Sequence, residues 1–234
     1  MSEHFYKLDQ RLQFPDPTLA LLDPNGLLAF GGDLTVARLL LAYSNGIFPW
    51  FSQGEPILWW SPDPRGILEL DEFICSKSLA KLARSKRYQV TLNRDFDAVI
   101  RHCASVPRDI NGTWITEQMI QAYMAMHRAG HAHSVEVWDK QELVGGLYGV
   151  SIGKIFCGES MFHLRSNTSK LAFFHLVHYL KGMAFDLIDC QLQNSHLASL
   201  GVKEIPRSQF LSRLKPAIAS SVSSDCWQKK CLNE

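Results

Sequence analysis

The sequence has no CxxC pair, no GxSxG, Walker or GxGxxG motif, and no run near the roughly 18 apolar residues that span a bilayer. The missing motifs leave hydrolase and nucleotide-hydrolysing readings without support. The missing apolar run leaves no membrane span to expect. Met1 to Lys7 also lacks the uninterrupted apolar stretch of a signal peptide, so a cytoplasmic location is expected. With a formal net charge of +1 the chain is not a globally basic nucleic-acid binder, and any basic face must be local. No internal repeat or low-complexity tract occurs.

What is present is ordinary for a globular protein: 234 residues, 46% hydrophobic and 20% charged, enough for one large domain or two small ones. Six cysteines, mostly in segments that read as helix or strand interior, are expected to be reduced and buried. His131 and His133 alternate as strand residues do, but nothing is spaced to complete a tetrahedral site, so no metal is expected.

Residues 1–64 are rich in turn formers, and the one clear helix there follows Asp33, with Val36, Leu39, Leu40 and Tyr43 on one face before Asn45-Gly46 ends it. Aromatics crowd nearby prolines in Phe48-Pro49-Trp50-Phe51 and Leu58-Trp59-Trp60, either cementing a small loop-rich domain or lining a cleft. Pro62 and Pro64 mark a boundary, giving domains 1–64 and 65–234. The second begins with a strand near Gly66 to Leu70, a helix from Ser76 to Ser85 and a strand from Tyr88 to Leu92. A helix from Asp95 to Ala104 follows, then one starting at Thr116 with Ile115 and Ile120 as a staple and Gly130 as its end. Ser134 to Trp138, Leu143 to Val150 and Lys154 to Gly158 read as an antiparallel meander. A largely apolar helix from Thr168 to Lys181 and a strand from Phe185 to Gln191 complete the order, and Ala217 to Asp225 reads as a loose tail. This predicts an α+β domain with a mostly antiparallel sheet, in the order found in N-acetyltransferase folds.

Two segments set carboxylates among apolar residues, Phe156-Cys157-Gly158-Glu159-Ser160-Met161-Phe162 and Leu187-Ile188-Asp189-Cys190-Gln191. An ionised acid is costly there unless something pairs with it or uses it. Asp189 and Gln191, two apart on a strand, are expected to share a face with Cys190 on the other. A carboxylate would then hold the Gln amide in a fixed orientation suited to an amine nucleophile; capping of the Ser195 to Leu200 turn is the structural alternative for Asp189. Glu159 is expected just past the meander, either in a structural hydrogen bond or against a substrate. Around these acids lie Leu147, Phe156, Met161, Phe173, Leu176, Leu180 and Ile188, individually core-like and collectively the wall of a ligand pocket. Lys77, Lys81, Arg84, Lys86 and Arg87 fall together with no acid between them, which makes either a phosphate-binding face or a solvated one.

At this point the chain resembles the bacterial leucyl/phenylalanyl-tRNA-protein transferases. The resemblance runs from about Phe14 to Leu214, through Pro24-Asn25-Gly26-Leu27-Leu28-Ala29, Gly31-Gly32-Asp33-Leu34, Gly46-Ile47-Phe48-Pro49-Trp50-Phe51, Leu58-Trp59-Trp60-Ser61-Pro62-Asp63-Pro64-Arg65, Gly112-Thr113-Trp114-Ile115-Thr116, Gly130-His131-Ala132-His133-Ser134 and both acid-bearing segments. It implies transfer of Leu or Phe, less readily Met, from aminoacyl-tRNA to proteins beginning with Arg or Lys, marking them for degradation without ATP, metal or other cofactor. By the same resemblance Asp189 would hold Gln191, Gln191 would orient or help deprotonate the attacking amine, and Glu159 would help to bind the cationic acceptor or the donor amino group. The seven apolar residues would form the donor side-chain pocket, Trp50 and Trp114 would receive the terminal adenosine, and the basic helix would dock the acceptor stem. Leu147, where Met is frequent, and Phe173, where a smaller aliphatic residue occurs, depart from the family pattern and bear on the choice between Leu and Phe. An acyl-CoA-dependent N-acetyltransferase is the rival within the fold, although no Gln/Arg-x-x-Gly-x-Gly/Ala loop is found. A non-catalytic RNA-binding module is the rival outside it. A monomer is the expected state.

Overall fold

The computed structural model describes residues 6–105 and 114–233. Gly112 and Thr113 of the resemblance lie outside them. Two sheets form among the described residues. The smaller, in the order β1-β2-β4-β3, comprises β1 (Tyr6–Leu8), β2 (Leu27–Gly31), β3 (Phe48–Pro49) and β4 (Leu58–Trp60), with α1 (Val36–Ser44) between β2 and β3. Strands this short fit the density of turn formers. Thr35 starts α1 by accepting the Arg38 backbone N–H.

From Arg65 onward the chain alternates β5 (Arg65–Glu69), α2 (Lys77–Arg84), β6 (Gln89–Leu92), α3 (Phe96–Ser105) and α4 (Glu117–Arg128), followed by the meander β7 (Ala132–Asp139), β8 (Glu142–Ile152) and β9 (Ile155–His163). Next come α5 (Thr168–Gly182), β10 (Leu187–Gln191), α6 (Ser195–Ala198), β11 (Lys203–Ile205), α7 (Arg207–Ala219) and β12 (Lys230–Cys231). The larger sheet runs β11-β5-β10-β9-β8-β7-β6-β12. Every neighbouring pair in it is antiparallel except β9 and β10. That pair is joined through α5, and a parallel pair needs such a long crossover. The predicted α+β class with a mostly antiparallel sheet is the one observed.

Strand alternation divides the core between the two faces of the larger sheet. Leu147, Val135 and Val137 face the layer that contains Leu171, Phe173 and Leu176 of α5 and Leu79 of α2. Tyr148 and Val150 face Val99 and Ile100 of α3 and Met119 and Tyr123 of α4, and this layer continues into Leu39, Tyr43 and Trp59 of the first 64 residues. The helix starts read from sequence are capped: Ser76 accepts the Leu79 N–H and Thr116 the Met119 N–H, while Ile115 and Ile120, the expected staple, are both buried.

The tail expectation is corrected. Past α7 the chain turns back onto the sheet, where β12 pairs with the edge strand β6 and the Leu232 N–H donates to Val90 O at 2.8 Å. Cys226 is fully buried, and the Trp227 ring stacks on His133 at 3.9 Å. The Ser-rich stretch is only the connection, and the apolar residues after it supply the burial that holds the segment down.

Candidate active site

Two β-bulges build the site. In β9 the register with β8 passes from Gly149↔Gly158 to Tyr148↔Ser160, which leaves Glu159 as the extra, unpaired residue. In β10 the register with β5 passes from Asp189↔Ile67 to Gln191↔Gly66, which leaves Cys190 unpaired. A bulge breaks the period of two and re-aims the side chains beyond it. Each one faces a glycine. A Cβ on Gly149 would stand 2.2 Å from the Cys157 carbonyl oxygen, and one on Gly66 would stand 2.9 Å from Gln193 N.

Two sequence expectations are corrected as a result. Glu159 lies inside β9, not beyond the meander. Asp189 and Gln191 do not share a face: Cys190 and Gln191 both line the cleft, while Asp189 is buried beneath it at 1% exposure. Asp189 takes Arg65 Nε on Oδ1 at 2.8 Å and Arg65 Nη2 on Oδ2 at 2.7 Å. Its Oδ1 also accepts the backbone N–H of Gln191 at 3.0 Å, where the chain enters the left-handed region with φ at 58°. The Gln191 amide turns the other way and donates from Nε2 to Glu159 Oε1 at 3.3 Å. Asp189 therefore fixes the backbone of Gln191, and Glu159 holds its side chain. The capping role considered for Asp189 belongs to Asn194, which accepts the Leu197 N–H.

Glu159 accepts three hydrogen bonds in all. The Tyr43 hydroxyl of α1 donates to Oε1 at 2.8 Å and the Tyr123 hydroxyl of α4 to Oε2 at 3.0 Å, and the two hydroxyls are 2.5 Å apart. Burial pushes the Glu159 carboxyl up to about 7, with nearby Asp189 adding to the rise and the two phenols opposing it. Burial likewise raises both phenols well above their ordinary value.

The cleft above these groups has a volume of about 350 Å³. Leu147, Phe156 and Met161 from the meander and Phe173 and Leu176 from α5 form an apolar wall. Trp50 and Trp114 line it as well, the former 43% exposed and edge-on to Trp60 at 5.4 Å. Leu180 and Ile188, expected in the same wall, are fully buried in the core and do not line the cleft. The sequence reading missed Tyr43 and Tyr123 as polar groups, since each occupies a core-facing helical position. It also missed Arg65, whose partner lies 124 residues away. The Leu192–Leu197 turn, which closes one side, was not read as part of the site either.

Lys77, Lys81, Arg84, Lys86 and Arg87 are all exposed on or just after α2, and none is ion-paired among the described residues. Arg87 lies over the Tyr88 ring at 5.0 Å. Among the described residues no cluster of His, Cys, Asp or Glu could hold a metal ion, and no helix is long and apolar enough to cross a membrane.

A small apolar cleft with one carboxylate and one amide at its floor suits a reaction that holds an apolar group and moves a proton beside it. Comparison with known proteins gives that chemistry a family. The leucyl/phenylalanyl-tRNA protein transferase model matches residues 67–215, and the model of that family's N-terminal domain matches residues 32–63. Relatives named leucyl/phenylalanyl-tRNA--protein transferase include those of Pseudoalteromonas atlantica, 60% identical over 98% of each chain, and Tolumonas auensis, 51% identical over 99% of each. The relative from Pectobacterium carotovorum is 54% identical over 96% of this chain and 95% of its own. A fainter structural likeness, TM-score 0.38 with 13% identity over 66% of this chain and 50% of the other, is to L-PGS from Bacillus licheniformis. On the family-model and full-length matches, the chain belongs to the leucyl/phenylalanyl-tRNA protein transferase family.

Proposed function

We propose that the cleft moves Leu or Phe, and less readily Met, from aminoacyl-tRNA to the α-amino group of proteins that begin with Arg or Lys. As a member of its family the chain is an aminoacyltransferase that uses aminoacyl-tRNA and a protein acceptor. The new N-terminal residue marks the acceptor for degradation. The observation that carries the reading is the cleft itself, in which an apolar wall meets a fixed carboxylate and amide.

The donor side chain rests against Leu147, Phe156, Met161, Phe173 and Leu176, where charged donors would lose their hydration without compensation. Trp50 and Trp114 at the mouth receive the terminal adenosine by stacking. Gln191 orients the attacking amine, Glu159 borders both substrates, and Asp189 keeps Gln191 in its strained backbone conformation. The exposed cations of α2 dock the acceptor stem through phosphates, a contact that carries no sequence information. Amide formation from an ester is downhill, so orientation and proton transfer suffice and no ATP or cofactor is required. The chain works as a cytoplasmic monomer, with a domain boundary near Pro64. The test is transfer of label from Leu-tRNA to a peptide beginning with Arg when ATP and CoA are omitted. Label on the peptide supports the reading, and its absence with active, folded protein overturns it.

A further inference from the structure

Tyr43, Tyr123 and Glu159 form a closed triangle of oxygen contacts at 2.8, 3.0 and 2.5 Å. Three hydrogen bonds need three protons, and the two phenols supply two. With Glu159 ionised, both phenol protons point at the carboxylate and the 2.5 Å contact sets one oxygen lone pair against another. With a proton on Oε2 the ring closes in one sense: Oε2 donates to Tyr123, Tyr123 to Tyr43, and Tyr43 to Oε1. Gln191 donates to the same Oε1, which leaves Oε2 as the oxygen that carries the proton.

Resting on the transferase reading, we propose that Glu159 is the proton carrier of the reaction and that the tyrosine pair holds its carboxyl in place in both proton states. Among the described residues Glu159 is the one carboxylate that lines the cleft. Asp189 does not compete, because it is buried and both its oxygens are committed to Arg65 and the Gln191 N–H. The acceptor amine enters uncharged. Its nitrogen bonds to the ester carbonyl carbon, Glu159 takes the proton that the nitrogen must shed, and the same proton passes to the ribose oxygen as the carbon–oxygen bond breaks. One N–H and one C–O bond are lost, one C–N and one O–H bond are formed, and Glu159 ends as it began.

The groups that face Glu159 are consistent with a carrier poised near neutrality. Tyr43 comes from α1, Tyr123 from α4 with Tyr148 of β8 behind it, Cys157 from β9, Asp189 from β10 and Arg65 from β5. Burial, the largest influence, raises Glu159 to about 7 against the hydrogen bonds of the two phenols, which favour the ionised form, while the charges of Asp189 and Arg65 act in opposite senses.

Glu159→Gln is the informative variant. Its amide oxygen accepts from Tyr43 and its NH₂ donates to Tyr123, so it reproduces the protonated ring and keeps the fold. Two measurements are paired: single-turnover transfer from Leu-tRNA to an Arg-initial peptide between pH 5.5 and 9, and infrared titration of the free enzyme with the variant as the blank. We expect transfer by the variant to fall about 100-fold or more. The limb of the wild-type profile with its midpoint near 7 should vanish, and the carboxyl band assigned to Glu159 should titrate with the same midpoint. A variant that transfers at the wild-type rate with the limb intact would overturn the proposal, as would a Glu159 carboxyl that titrates in the ordinary range. If the wild type transfers nothing, the transferase reading falls instead, and the infrared titration still decides the proton site.

Discussion

Arg65 Nη1 donates to the carbonyl oxygen of Gly46 at 2.9 Å, so the guanidinium that grips Asp189 also holds the turn leading into Phe48, Pro49 and Trp50. One buried side chain thereby ties a wall of the cleft to the strand beneath it. The Phe48 and Phe210 rings enclose the guanidinium at 5.0 and 4.6 Å. Arg65→Met leaves Asp189 buried without its ion partner, and chemical denaturation should show a loss of about 3 to 5 kcal/mol. Transfer should fall further than the folded fraction does, since the Asp189 carboxylate that anchors Gln191 is itself no longer held. An unchanged midpoint would remove Arg65 from this role.

Phe173 narrows the apolar wall and packs edge-on against Phe73 at 5.8 Å. Phe173→Leu widens it, and the ratio of kcat/KM for Phe-tRNA to that for Leu-tRNA should rise about 10-fold, the scale set by small changes in apolar pockets. A ratio that stays put would mean the donor side chain sits elsewhere.

The exposed cations of α2 predict salt-sensitive use of tRNA. Substituting Gln for Lys77, Lys81 and Arg84 together should flatten the log–log dependence of KM on salt by about 2 to 3 units, roughly one for each lost phosphate contact. An equal slope in the variant would assign the docking face to another surface.

Glu159 also links stability to pH. Its folded-state value, about 7, lies above its ordinary 4.5, so the folded protein binds the proton more tightly than the unfolded chain. Stability from this group is therefore fully present below about 4.5, declines as pH rises through 7 and is flat above that. Denaturation curves from pH 5 to 8 should show wild type losing stability relative to Glu159→Gln. Parallel curves would contradict the raised value.

The C-terminal segment is held by Trp227, whose ring also lies 5.6 Å from Phe156 of the cleft wall. Trp227→Ala should cost about 2 to 3 kcal/mol, somewhat below the usual figure because the ring is half-buried. The Leu232 amide should lose its protection from hydrogen exchange. An amide already unprotected in the wild type would restore the reading of a loose tail.

Much of the fold was legible because local chemistry and helical period agree with the final packing. Ser76, Thr116 and the Ile115–Ile120 staple announced their helices, and the glycines and asparagines marked the turns. The site was less legible, for physical reasons. A period-two argument put Asp189 and Gln191 on one face, but the extra Cys190 cancels that parity, and no residue type signals a bulge by itself. Tyr43 and Tyr123 looked like core residues because their rings are core; only the meeting of their hydroxyls over Glu159, 80 residues apart from each other in sequence, makes them polar participants. The same distance problem hid Arg65. Leu180 and Ile188 were assigned to the wall on neighbourhood and on the family resemblance, but Leu180 of α5 and Ile188 of β10 both pack into the core instead.

The most direct measurement compares wild type, Glu159→Gln and Gln191→Ala in transfer of labelled Leu from Leu-tRNA to an Arg-initial peptide, without ATP or CoA. The predicted result is rapid labelling by wild type and a loss of about 100-fold or more for Glu159→Gln. Gln191→Ala should be impaired because the amine is no longer oriented. No labelling by folded wild-type protein, or equal labelling by all three, would contradict the account.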